Sequence, residues 1–222
     1  VEIVVRGYLT GTTSTSAWTM YRKGERNVCG NVLPDGMRKN QRFPEPILTP
    51  TTKSDEHDEP VSEQQILERG LVAGEDWSKL RETAFRLFSR GASLALENGL
   101  ILVDTKYELG KDEQGRTVLI DEIHTPDSSR YWLAEGYDSR FRAGEEPENI
   151  DKEFLRRWFA ERCDPYSDEV LPKAPPELVV ELSRRYVYLY ELITGLELDV
   201  SGSEVPVLDR IRGNLRGAGL AV

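Results

Sequence analysis

Asp104, Lys106 and Glu108, ionisable residues at every second position, are the first sign of chemistry in this chain. In a strand, residues two apart share a face, so these three side chains project together. Against a dry core each would lose its hydration, so the shared face must be wet or bound to something charged. The next segment narrows the choice. Residues 110–116 form a polar turn, and 117–123 read as a second strand that starts apolar and ends in Asp121–Glu122. Folded back as a hairpin, residues whose numbers sum to about 229 face one another, which sets Glu108 opposite Asp121. Carboxylates so placed repel unless a cation lies between them, and hard oxygen ligands suit magnesium. A solvated hairpin with incidental acids is the alternative. After the hairpin comes HTPDSSRYW, residues 124–132. Its proline break, the hydroxyls of Ser128 and Ser129, and Arg130 make a set suited to an oxyanion or phosphate.

These groups need elements to hold them. The chain starts directly in a strand, VEIVVRGYLTG, with Val1, Ile3 and Val5 alternating with Glu2, Val4 and Arg6. Arg6 is followed by GTTSTS (11–16), whose backbone N–H groups and hydroxyls could wrap a phosphate; a flexible turn is the plainer reading. Residues 18–33 read as a hairpin or a short helix with a turn, with Cys29 as packing. From 34 to 60, prolines at 34, 44, 46, 50 and 60 exclude a long helix and predict an extended, irregular run. In it, His57 beside Asp58 reads as a solvated loop histidine. Ser62 and Gln65 make a capping-box pattern that opens a short helix. Over 76–98, Trp77, Leu80, Ala84, Leu87, Phe88, Ala92 and Ala95 form one apolar stripe, which predicts a helix packed on a sheet and stopped by Gly99. Residues 133–150 read as an acidic loop and 151–161 as a helix with Phe154, Leu155, Trp158 and Phe159 inward. A further helix spans 175–194, with Tyr186, Tyr188 and Tyr190 as packing. The expected fold class is α+β, an antiparallel sheet with helices packed on one side.

Composition sets the bounds. The 222 residues are enough for a proper core. A net charge of −10 argues against nucleic acid or an anionic membrane as partner, so phosphorylated ligands would bind through local arginines and lysines. Two cysteines and two histidines fit no zinc spacing. A reducing, cytoplasmic setting is the simplest reading, and no apolar run approaches the ~20 residues of a membrane span.

The two segments LILVDTKYELG and LIDEIHTPDSSRYW resemble the signature pair of the SAICAR synthetase family, in the right order and at the right separation. The resemblance spans residues 1 to about 195, taken as one catalytic domain, with 196–222 as a weakly structured extension outside it. It implies a two-lobed, ATP-grasp or kinase-like architecture with nucleotide between the lobes. It also implies that an N-terminal lobe normally precedes Val1, so that this chain alone would hold the ribotide better than ATP. The implied reaction is an ATP-driven ligation of L-aspartate to a carboxyaminoimidazole ribotide. Magnesium then falls to Glu108 and Asp121, and the phosphates of ATP to Lys53 and Lys106. The ribotide falls to Arg6, Arg130, Ser128, Ser129 and a hydroxyl of the 11–16 loop, Thr12 or Ser16. Asp104 would accept hydrogen bonds from the ring amine, while Asp58 and Asp127 would lie near the aspartate. Two alternatives stay open: another ATP-using enzyme, against which HTPDSSR argues, and a silent ribotide-binding module. A homo-oligomer, or a partner that supplies the first lobe, is compatible with either.

Overall fold

Trp77, Ala84, Phe88, Gly91 and Ala95 are buried along one side of a 24-residue helix, α3 (Gly74–Glu97), and that side lies on a sheet. The computed structural model describes residues 1–13, 15–53, 59–150, 152–164 and 167–220. The sheet has four strands, β1 (Ile3–Leu9), β4 (Gln41–Leu48), β5 (Leu100–Tyr107) and β8 (Ser129–Leu133), in the order β4-β1-β5-β8. Every neighbouring pair is antiparallel. Ile3 and Val5 of β1 and Leu100 and Leu102 of β5 face α3 in one apolar cluster. Phe88 packs on β1 at Gly7, where an added Cβ would stand in ordinary contact with the ring at 3.4 Å. Alternation turns Arg6 to the opposite face, and an irregularity in β5 between Leu102 and Asp104 turns Asp104 and Lys106 there as well, although they share the parity of Leu100 and Leu102. The expected α+β fold, an antiparallel sheet with a helix layer, is the one observed.

The remaining elements frame that second face. Helix α1 (Ala17–Arg22) and the short strands β2 (Asn27–Val28) and β3 (Asn31–Val32) realise both readings of residues 18–33. Helix α2 (Glu63–Glu68) carries the expected box, Ser62 Oγ accepting from Gln65 N while Gln65 returns a bond to the Ser62 amide. Strands β6 (Leu109–Lys111) and β7 (Thr117–Leu119) form a small hairpin, followed after β8 by α4 (Tyr137–Ala143), α5 (Glu153–Ala160), α6 (Pro176–Thr194) and α7 (Val207–Gly217).

Four expectations are corrected. The proline-rich run contains β4, an edge strand, where missing N–H groups need no partner. The acidic loop contains α4, bracketed by Gly136 and Gly144 in the left-handed region. In α5 the residue fully buried is Glu153, while the four aromatic and aliphatic positions are only half-buried. On α6, Tyr188 and Tyr190 are exposed and only Leu189 is buried. Helix α7 buries none of its side chains. No helix among the described residues is long and apolar enough to cross a membrane.

Candidate functional site

Strand register builds the site. Arg6 of β1 stands opposite Asp104 of β5, and Asp104 stands opposite Arg130 of β8. A carboxylate is thus flanked by a guanidinium on each neighbouring strand. Its Oδ2 accepts from Arg6 Nη1 at 3.1 Å and from Arg130 Nη1 at 2.6 Å, with all three side chains about nine-tenths buried. Arg6 Nε also donates to Thr49 Oγ1, and Arg130 Nη2 lies 3.5 Å from Glu153 Oε2. Burial lowers the pKa of Arg6; Asp104 opposes that shift and Arg130 adds to it. With Glu153 included, two arginines meet two carboxylates, so the row carries little net charge.

One step along β5 the polarity continues. Lys106 Nζ donates to Glu108 Oε1 at 2.7 Å and Asp121 Oδ2 at 2.9 Å, with Glu2 Oε1 at 3.8 Å. Lys53 Nζ donates to the other Glu108 oxygen at 2.5 Å. The carboxylates of Glu108 and Asp121 therefore converge, though not through the expected ladder. In the hairpin Leu109 faces Leu119 and Lys111 faces Thr117, one residue off the anticipated register. The second strand ends at Leu119, where Ile120 donates its amide to Glu108 O and lays its side chain over Gly110. Asp121 lies beyond the ladder and reaches Lys106 from a loop.

Lys106 holds Glu108 and Asp121 below the usual carboxylate range, with Lys53 adding to the effect on Glu108. Burial works against the Lys106 ammonium, but the two carboxylates outweigh it and raise its pKa. A carboxyl whose folded pKa is depressed stabilises the fold above its unfolded value, and that stability is lost as pH falls through the folded one. Thermal midpoints should thus hold steady from pH 7 to 5 and drop below about pH 4. The double variant Glu108→Gln/Asp121→Asn should flatten that drop in a thermal scan; an unchanged acid limb would mean that these groups do not contribute to it.

A cleft of about 360 Å³ opens over the row. It is lined by Arg6, Asp104, Lys106 and Arg130 and, from the loop before β8, by Asp127, Ser128 and Ser129. Ser16 also lines it, but its hydroxyl is engaged locally: it caps α1, accepting from the Thr19 amide and donating to Thr13 O. Thr12 donates to Glu153 Oε1 at 2.8 Å. Lys53, Glu108 and Asp121 stand outside the lining and join it through Lys106. Asp58 and His57 lie outside the described residues.

Sequence reasoning missed Glu2, Glu122, Lys152, Glu153 and Arg156. Lys152 and Arg156 line the cleft, with Lys152 donating to Asp127 Oδ1 at 2.5 Å. They are four apart, at the N-cap and within the first turns of α5, a spacing that sequence alone carries. Nothing in the pattern marks Glu153 as buried. A larger cleft of about 1290 Å³ lies elsewhere, between β4, α2 and α3. None of the expected residues is in it, and its Glu63 and Arg81 pair with each other at 3.3 Å.

The family model for SAICAR synthetase matches residues 1–173. Among curated proteins, the phosphoribosylaminoimidazole-succinocarboxamide synthase of Legionella pneumophila (strain Lens) is 58% identical over 216 residues, 97% of this chain and 69% of that protein. The chloroplastic synthase of Arabidopsis thaliana is 56% identical over 96% of this chain and 52% of its own length. Such alignments run well past residue 195, so the similarity includes the C-terminal segment that the signature motifs left out. Among solved structures, the SAICAR-synthase of Saccharomyces cerevisiae complexed with SAICAR is similar at a TM-score of 0.72 and 36% identity, covering 89% of this chain and 61% of that one. A type-2 SAICAR synthetase in complex with ADP gives 0.60 and 26%, over 89% and 64%. The chain thus spans less than two thirds of the solved chains it matches.

Proposed function

The chain belongs to the SAICAR synthetase family, and from that premise we propose that it serves an ATP-dependent ligation of purine biosynthesis. L-Aspartate is joined to the carboxylate of 5-amino-1-(5-phospho-D-ribosyl)imidazole-4-carboxylate, with ADP and phosphate as the other products. ATP transfers its terminal phosphoryl group to the ribotide carboxylate. The aspartate amine then attacks the acyl carbon, phosphate leaves with the bonding pair, and the amine gives up a proton. The observation that carries this reading is the row Arg6–Asp104–Arg130 beside Lys106 in one cleft. Activated-acyl chemistry of this kind needs positioning and positive charge more than a covalent partner.

The roles divide by position. Arg6 and Arg130, fixed by Asp104, present rigid guanidinium edges to the ribotide. Lys152 and Arg156 add charge for its phosphate, since the central row is close to neutral. Ser128, Ser129 and one of Thr12 or Ser16 supply hydroxyls, while Asp127 faces the aspartate. Lys53 and Lys106 offset the charge on the nucleotide's phosphates. Magnesium fits Glu108 and Asp121: both are ionised oxygen donors converging on one cation position, here taken by Lys106 Nζ. Magnesium commonly relies on one or two carboxylates together with phosphate oxygens. The ion would neutralise charge on the phosphoryl group. A reducing, cytoplasmic setting belongs to the same reading, supported by two unpaired cysteines.

Arg130→Lys tests the assignment. One ammonium cannot reach Asp104 and Glu153 and still offer a two-pronged contact. Calorimetry should give a ribotide Kd weakened on the order of a hundredfold, nearly as much as in Arg130→Ala. Nucleotide affinity should move little; an effect confined to the nucleotide would refute the assignment.

A further inference from the structure

Asp121, Glu122, Asp127 and Ser128 are carried by residues 120–128, a segment with no helix or strand. Its ends are tied by backbone bonds, Ile120 N to Glu108 O and Lys106 N to Ser128 O. Between those ties the chain turns through His124, which sits at φ +57°. That is the left-handed region, which residues with a side chain rarely adopt.

Three contacts hold His124 there. Its Nε2 is 2.8 Å from the hydroxyl of Tyr107, a residue fully buried at the end of β5. Its carbonyl accepts from the Tyr131 hydroxyl, also at 2.8 Å. Its ring lies on the backbone of Gly91 in α3: a Cβ added at Gly91 would stand 2.4 Å from Cε1 and 2.7 Å from Nε2. Only glycine leaves room for the ring. Burial also lowers the imidazole pKa.

We propose that His124 is a positioning residue, a pin through which α3 sets the height of the 120–128 segment over the cleft. The pin stands on contacts within the chain; its effect on ribotide binding rests on the function proposed above. Moving the ring would shift Asp121 away from Lys106 and draw Ser128 off the cleft wall. Errors of about 1 Å at such groups cost binding and rate far more than they cost the fold.

The test uses Gly91→Ala, His124→Gly and the double variant. Glycine at 124 keeps the left-handed backbone without strain and removes only the ring. In ligand-free protein, amide exchange over 120–128 should rise about tenfold in each single variant, while exchange in the sheet strands stays put. Ribotide affinity should weaken about tenfold. The double variant should be no worse than His124→Gly, because the added methyl no longer meets a ring. Additive losses in the double variant, or native exchange in His124→Gly, would overturn the proposal. If Gly91→Ala fails to fold, His124→Gly alone decides. Failure of the unaltered protein to bind the ribotide would instead strike the proposed function and leave the exchange result standing.

Discussion

Replacing Lys106 with methionine is expected to slow ligation by about 10²–10³-fold and, in the same protein, to tighten the binding of manganese. The two effects have one cause. The Lys106 ammonium sits between Glu108 and Asp121, with Glu2 close behind. Methionine keeps most of the stem and removes the charge. Asp121 and Glu2 then face the gap, Glu108 keeps only Lys53, and like charges so close raise the demand for a cation. A divalent ion no longer competes with the Lys106 ammonium, so manganese affinity followed by electron paramagnetic resonance should rise about tenfold. The chemistry, by contrast, loses a charge that cannot be replaced from solution at the same position. If Lys106→Met binds manganese no better than the unaltered protein, the carboxylates are not the metal's ligands.

Asp104→Ala should be the most damaging single change to stability in the site. Arg6 and Arg130 would keep their burial and lose the carboxylate that reconciles them. Breaking a buried pair from one side costs roughly 3–5 kcal/mol, because the stranded charge is not rehydrated. Here Arg6 loses its carboxylate while Arg130 keeps Glu153, and the unfolding midpoint in urea should fall accordingly. Asp104→Asn, which keeps shape and one acceptor, should cost less. A double variant in which Arg6 is also replaced by methionine should recover part of the loss. Equal stability for Asp104→Ala and the unaltered protein would show that solvent reaches the row.

Legibility from sequence followed the range of the interactions. Period and capping are local, so the α3 stripe, the Ser62–Gln65 box and the strand carrying Asp104 and Lys106 could be read directly. The convergence of Glu108 and Asp121 was anticipated, yet by a register off by one. A turn's internal hydrogen bonds decide such a slip, and side-chain alternation cannot see them. Strand β4 was hidden by its prolines, which forbid a central strand but not an edge one. The burial of Glu153 was invisible for a different reason. It depends on Arg130 and Thr12, which lie far away in the chain, and local pattern carries no trace of them. Lys152 and Arg156 were legible in principle and were overlooked.

Those prolines have a consequence of another kind. Pro44 and Pro46 stand on β4, at the open margin of the sheet. Being two apart, they remove donors that would point the same way. A strand from a neighbouring molecule would find two rungs of the ladder missing. Concentrated solutions of this protein should therefore resist fibril growth from that margin. Pro44→Thr and Pro46→Thr together would restore the rungs and turn a blunt border into a template.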